Sequence, residues 1–379
     1  MKSDSSPFTV KGSRRVLTVV GARPQFIKSA ALTRSLKGSG WKQWLVHAGQ
    51  HVDDDMGLDF LSELHVPMPD ARIRPSQSGR SQRLSDMMLG IAEQIESVNP
   101  SAVVVYGDTD ATLAGALAAH HAQVPLVHVE AGLRSGDRGM PEEHNRVLTD
   151  QLSDLLCTTG PEATRQLLKE GVSKERISEV GDVMLDVALA AKLLVHGRFP
   201  PLWPKEASQV LTVTMHRPAT VDDPAKLKSA LDVLSSWAER TGGQVYFPIH
   251  PRTKGNMERF GLNLPARVID PGPLGYIDMQ AALFHSDRVL TDSGGVQKEA
   301  WFQGTSAVIL RSTTEWRELI ELGASELFDP EKLKASEGAS ELLERLAFDR
   351  TVPNVVGSGL FGEGQAAPRV LSALETFLT

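Results

Sequence analysis

The stretch "VLTVVGARPQFIK" (residues 16–28) runs an apolar segment through a glycine and into a helix start. The apolar run reads as a buried strand, Gly21 suits a tight turn, and Pro24 suits the first helical turn, where its missing N–H costs nothing. Arg23 and Lys28 lie where an anion would sit at a helix N-terminus. Two solvated cations on a tight turn explain the residues equally well. The turn is not GxGxxG, so it does not point to a dinucleotide.

The same strand–turn–helix unit recurs outward from there. "QWLVHAG" (43–49), "AVVVYG" (102–107), "PLVHV" (125–129) and "DLLCTT" (154–159) are short apolar runs ending at turn residues. Between them, residues 81–98 place Leu84, Met87, Met88, Ile91 and Ile95 at helical spacing. "HGRFPPLWP" (196–204) interrupts the pattern with three prolines and predicts a domain boundary. The alternation then restarts with "VLTVTM" (210–215), "QVYFPI" (244–249), "ARVIDP" (266–271), "RVLTDS" (288–293) and "SAVILR" (306–311). This predicts an α/β protein of two doubly wound Rossmann-like domains, 16–195 and 205–360, facing a cleft that serves as the ligand site. Residues 1–15 read as a polar leader, and residues 361–379 hold a closing helix that could pack on either half.

Composition narrows the class. The chain has 379 residues, 41% hydrophobic and 23% charged, with a net charge of −7. That balance argues against non-specific binding to nucleic acid or membrane surfaces. No apolar run reaches the ~20 residues of a membrane span, and the leader has no apolar core of a signal peptide, so a cytoplasmic protein is expected. Cys157, the single cysteine, sits in an apolar segment and reads as a small buried hydrophobe. HExxH is absent, and His120–His121 are adjacent on an apparent helix and do not share a face. No metal is predicted.

Several strand ends carry candidate chemistry. In "HVEAGLRSGDRGMPEEHNR" (128–146), Glu130 follows a strand and should stand at its carboxyl end, where open α/β sheets keep ligands. Glu142 and Glu143 follow Pro141, where the helix dipole favours acids, and Glu142 is spaced for an i,i+4 pair with Arg146. Those two glutamates therefore need no catalytic role to explain them. Asp108 in "YGDTDAT" (106–112) lies just past a strand and is well placed as a helix N-cap. "TMHRP" (214–218) puts His216 and Arg217 at another strand end, suited to acid–base work or phosphate contact. In "TDSGGVQKEA" (291–300), Gly294 and Gly295 after Ser293 would let a pyrophosphate approach the amides of a new helix, with Glu299 one turn along for ribose hydroxyls. A plain strand–helix turn with a solvated Glu299 fits the same residues.

Taken together, these blocks resemble the non-hydrolysing UDP-N-acetylglucosamine 2-epimerase family. "GARPQFIK", "GDTDAT", "HVEAGLRSG", "PEEHNR", "HR" at 216–217, "DSGGVQKEA" and "TTEW" fall in the family's order, from about Val16 to the last helix. The resemblance implies a glycosyltransferase-B-like fold that binds a UDP-sugar and uses no cofactor. It implies UDP binding by Arg23, Lys28, Ser293, Gly294, Gly295 and Glu299, and acid–base or charge-stabilising roles for Asp108, Glu130, Glu142 and His216. Arg134, Arg146 and Arg217, inside the same blocks, join the substrate-binding set. Glu143, Asp137 and His144 stay structural. A homodimer is also implied.

Departures point to a subgroup. Gln25-Phe26 replace the common Glu-Ala, and Trp316 replaces the arginine of TTERPE; the chain is closer to members that include UDP-2,3-diacetamido-glucuronate 2-epimerases. Gln50-His51 match part of a second, activating site, where Asp53 replaces a glutamine and Pro218-Ala219-Thr220 replace the usual continuation after "HR". Weak or absent allosteric activation follows, with hyperbolic velocity curves. The competing readings are a hydrolysing epimerase, a retaining glycosyltransferase of similar architecture, and a non-catalytic UDP-sugar-binding regulator.

Overall fold

The structure is a computed structural model that describes residues 14–49, 61, 63–64, 66–76, 79–347 and 352–379. Gln50, His51 and Asp53 lie outside the described residues. The chain divides into two compact units, residues 1–187 with 359–379, and residues 188–358.

In the first unit the described residues form a parallel sheet ordered β3-β2-β1-β4-β5-β6-β7. Its strands are β1 Arg15–Val20, β2 Lys42–His47, β3 Ala71–Arg72, β4 Ala102–Tyr106, β5 Leu126–Ala131, β6 Leu155–Thr158 and β7 Ile177–Glu179. β4 and β5 are buried along their whole length, which is why they read as unbroken apolar runs and not as alternation. The helix Arg80–Val98 turns Met87, Ile91 and Ile95 into the core beside Leu17, Val103 and Val105. Cys157 on β6 is buried among apolar residues, and burial pushes its thiol up to about 12.

The second unit repeats the pattern in the order β10-β9-β8-β11-β12-β13. These strands are β8 Val210–Thr214, β9 Gln244–Tyr246, β10 Val268–Ile269, β11 Arg288–Thr291, β12 Ala307–Ile309 and β13 Ser325–Leu327. Trp237, Phe247 and Phe328 fill its core. All pairings in both sheets are parallel. In each sheet the strand order reverses once, at β1/β4 and at β8/β11, and such switch points open a crevice beyond the strand ends. The two sheets give the two-domain, Rossmann-like architecture of the glycosyltransferase-B type.

The units part inside the helix Val183–Val195, and the proline-rich 196–204 belongs wholly to the second. Local bonds explain this: Tyr246 donates to the Pro201 carbonyl at 2.7 Å, and Arg198 pairs with Asp278 at 2.7 Å. The closing helix Ala366–Leu378 belongs to the first unit. Asp186 accepts from the amides of Ala366 and Ala367, and Trp41 donates to Glu375. No described helix is long and apolar enough to cross a membrane.

Candidate active site

At the first switch point, Gln25 joins the ends of β1 and β4. Its carbonyl accepts from the amides of Gly21 and Ala22 (2.7 and 3.2 Å), and its amide donates to the Tyr106 carbonyl and to Thr112 (2.8 Å each). Gln25 therefore occupies the amides of the turn that precedes the helix Arg23–Leu36. Arg23 opens the helix Arg23–Leu36 and is exposed. Lys28 points to Glu130, with Nζ 2.6 Å from Oε1, and both side chains are largely buried.

Glu130 stands at the end of β5 with φ +71, where the pairing of β5 with β6 shifts register between Val129 and Ala131. A left-handed backbone costs a non-glycine residue about 1–3 kcal/mol, so packing on all sides must hold it there. Gly107, at the end of β4, makes room for the pair. A Cβ on it would lie 3.1 Å from Lys28 Nζ and 3.5 Å from Glu130 Oε1.

Asp108 follows Gly107 but is not the helix cap. Thr109 caps the helix Asp110–His121, accepting from the Thr112 amide, because Asp108 is drawn away to Arg146, 2.5 Å from Nη2. Arg146 also binds Glu143 at 2.8 Å, so the spacing that suggested a Glu142–Arg146 pair is realised one residue over. Glu143 accepts from the Ser135 and Gly136 amides and from the Ser135 hydroxyl, tying the 135–136 loop to the helix Pro141–Leu152. Glu142, in that helix's first turn, is partly exposed and has no hydrogen-bond or ion-pair partner among the described residues. Arg134 turns inward: its donors go to Asp150, Glu170 and the Leu133 carbonyl, which makes it a brace for its loop.

At the second switch point, Asp292 is fully buried and organises the turn after β8. It accepts from the amides of His216 (2.8 Å) and Arg217 (2.8 Å), its Oδ1 lies 3.2 Å from His216 Nδ1, and its carbonyl accepts from Arg217 Nε. His250 lies beside His216, ring centroids 5.2 Å apart, and its Nδ1 accepts from the Arg252 amide. Burial first, then His216, holds the His250 pKa below the usual histidine value.

Ser293 precedes the helix Gly294–Gln303 and makes no side-chain cap, so no side chain of its own cap takes up the opening amides. The space at Gly294 is taken by Glu315: a Cβ there would lie 2.7 Å from its Oε1. Arg311 pairs with Glu315 at 3.0 Å, and Trp316 donates to the Gly294 carbonyl. Glu299 is held by Gln280 at 2.9 Å, and Gln280 by Gln303. Sequence reasoning missed Asp292, His250 and Gln280. Only Asp292 carried a signal, since it ends the strand beside β8. Among the described residues no group of three or more His, Cys, Asp or Glu could hold a metal.

Carboxylates gather at one switch point, and a histidine with a glycine-rich helix start stands at the other, both at strand ends where doubly wound α/β enzymes keep their ligands. A sequence profile described as UDP-N-acetylglucosamine 2-epimerase matches residues 34–375. The UDP-2,3-diacetamido-2,3-dideoxy-D-glucuronate 2-epimerase of Pseudomonas aeruginosa is 39% identical over 363 residues, covering 95% of this chain and 99% of that protein. The crystal structure of Methanocaldococcus jannaschii UDP-GlcNAc 2-epimerase in complex with UDP-GlcNAc and UDP matches with TM-score 0.78 and 31% identity, over 96% of this chain and 99% of that one. The glycosyltransferase SnogD of Streptomyces nogalater shares the fold alone (TM-score 0.56, 14% identity, over 95% of this chain and all of that one). The chain belongs to the UDP-N-acetylglucosamine 2-epimerase family, whose members are isomerases acting on sugars.

Proposed function

We propose that this chain interconverts UDP-N-acetylglucosamine and UDP-N-acetylmannosamine by eliminating and re-adding UDP. As the C1–oxygen bond to UDP breaks, positive charge develops at C1 and the C2 hydrogen becomes labile. A carboxylate takes that proton, giving UDP and 2-acetamidoglucal. A proton then returns to the opposite face of C2 and a UDP oxygen re-forms the bond to C1. Carboxylates stabilise such cationic sugar transition states, and proton transfer on two faces needs more than one acid–base group.

The carrying observation is the carboxylate set of the first unit. Glu130 is pinned by Lys28, Asp108 is pinned by Arg146, and Glu142 is left open. Asp108, Glu130, Glu142 and His216 form the acid–base set. Ser293, Gly294, Gly295 and Glu299 bind UDP together with Arg23, Lys28 and Arg217, where cations and helix amides stabilise the leaving diphosphate. Arg146 serves the substrate through Asp108, and Arg134 through its loop. The 39% identity to the diacetamido-glucuronate enzyme favours a second reading, the same chemistry on that sugar. We further infer a cytoplasmic homodimer. Exposed Leu89, Val147 and Leu148 on first-unit helices supply apolar surface for it, which light scattering tests.

Proton NMR in deuterated water tests the reaction. UDP-N-acetylmannosamine carrying deuterium at C2 supports it, and free N-acetylmannosamine with UDP points to a hydrolysing enzyme. Silence with UDP-N-acetylglucosamine but exchange with the diacetamido-glucuronate selects the second reading. Glu130→Gln should lower turnover by about 10²–10⁴-fold while UDP still binds; unchanged turnover removes Glu130 from the set.

A further inference from the structure

β5 carries a buried histidine that the proposed chemistry does not use. His128 has no solvent exposure, and both ring nitrogens face acceptors: Nδ1 lies 2.6 Å from Asp150 Oδ1, and Nε2 lies 2.8 Å from the Gly107 carbonyl oxygen. A carbonyl can only accept, so Nε2 carries a hydrogen. Asp150, equally buried, uses its other oxygen to accept from the Gly132 amide (3.1 Å) and Arg134 (2.8 Å). Burial pushes the Asp150 carboxyl up, but His128 and then Arg134 outweigh it and hold it below the ordinary aspartate range.

Through these bonds one buried pair grips two turns. Gly107 directly precedes Asp108, and Gly132 follows Glu130 by two residues. Gly107 (φ +62), Glu130 (φ +71) and Gly132 (φ +84) all hold left-handed backbones. Gly132 is also fixed sterically, since a Cβ there would lie 2.5 Å from the Ala163 carbonyl oxygen. The Lys28–Glu130 contact passes beside Gly107, so displacing either turn moves both carboxylates.

We propose that His128 and Asp150 are positioning residues that hold the Asp108 and Glu130 carboxylates in register for proton transfer. The inference rests on the acid–base reading given above. A pair that served stability alone would leave kcat per folded molecule untouched when lost. A positioning pair acts on kcat, because a shift of about 1 Å in a reacting group costs about 100-fold in rate.

The test compares His128→Ala, Asp150→Ala and Asp150→Asn in the full chain, with kcat, KM and UDP affinity by calorimetry for each. In Asp150→Asn the amide can donate to Nδ1 of a neutral His128, whose Nε2–H still reaches Gly107, while the amide oxygen still accepts from Gly132. Both alanine variants should lose about 100-fold in kcat with KM and UDP affinity unchanged, and the asparagine variant should recover most of it. Wild-type kcat in folded alanine variants overturns the proposal, as does an asparagine variant no better than alanine. If His128→Ala does not fold, His128→Gln replaces it; its amide offers its donors from one atom only, so the same loss is expected. Wild-type protein inert toward both UDP-sugars removes the epimerase reading and this inference with it, whereas active wild type with unaffected variants removes this inference alone.

Discussion

Lys28 Nζ lies 2.6 Å from Glu130 Oε1, beside a glycine whose missing side chain leaves room for both groups. The glutamate is 7% exposed and sits on a left-handed backbone, so its charge is offset locally and its direction is fixed by the chain. A carboxylate held this way keeps its charge and its direction without help from solvent.

Breaking this pair should be costly and removing it whole should not. Lys28→Met leaves a buried carboxylate without its cation, and such variants lose about 3–5 kcal/mol. Adding Glu130→Gln to it should return most of that loss, which urea unfolding of the two single variants and the double variant measures directly. A coupling below about 0.5 kcal/mol would place the pair with exposed ion pairs.

Glu143 sets a pH dependence. Burial pushes its carboxyl up, but the Ser135 and Gly136 amides, then Arg146 and the Ser135 hydroxyl, hold it below the ordinary glutamate range. The folded value therefore lies below the unfolded one of about 4.3. Its contribution is complete above that pH and is lost as pH falls through the depressed value. Glu143→Gln should cost about 1–3 kcal/mol at neutral pH, and its difference from wild type should shrink toward zero as pH falls through the depressed folded value. Chemical denaturation at several pH values checks this; a difference constant across that range would assign the loss to shape and not to charge.

The long strands and the helix over 81–98 were legible because both faces of a parallel sheet are covered, which leaves uninterrupted apolar runs. β3, β7 and β13 were not: they are edge strands whose polar, part-exposed residues form no apolar run, unlike the equally short β9, β10 and β12. The candidate site was legible as residue types at strand ends, but not as partnerships. Gln25 reads as a polar residue in a helix start, yet it bonds across to Tyr106 and Thr112, eighty-odd positions away. Arg146 faces Asp108 and Glu143 and not Glu142, because two carboxylates converge on one guanidinium only after β4 and the helix Pro141–Leu152 are brought together. Spacing along one helix offers the Glu143–Arg146 pair at i,i+3 but carries no sign of Asp108.

Gly294 and Gly295 share a helix start but should respond oppositely to a methyl group. At Gly294 a Cβ would stand 2.7 Å from Glu315 Oε1, and that carboxylate cannot retreat without moving the buried Arg311. Overpacking of this kind costs about 1–3 kcal/mol. At Gly295, which is exposed, the nearest atom is Glu299 Oε1 at 3.6 Å, an ordinary contact, and alanine favours a helix over glycine by up to about 1 kcal/mol. Gly294→Ala should therefore destabilise and Gly295→Ala should not, as thermal unfolding will read. If the opening amides hold the leaving diphosphate, Gly295→Ala still weakens UDP binding, because its methyl group stands where the phosphate must approach the backbone. Lower affinity for UDP in a variant at least as stable as wild type separates a binding role from a folding one. Unchanged affinity would move the diphosphate away from this helix and onto the arginine and lysine side chains alone.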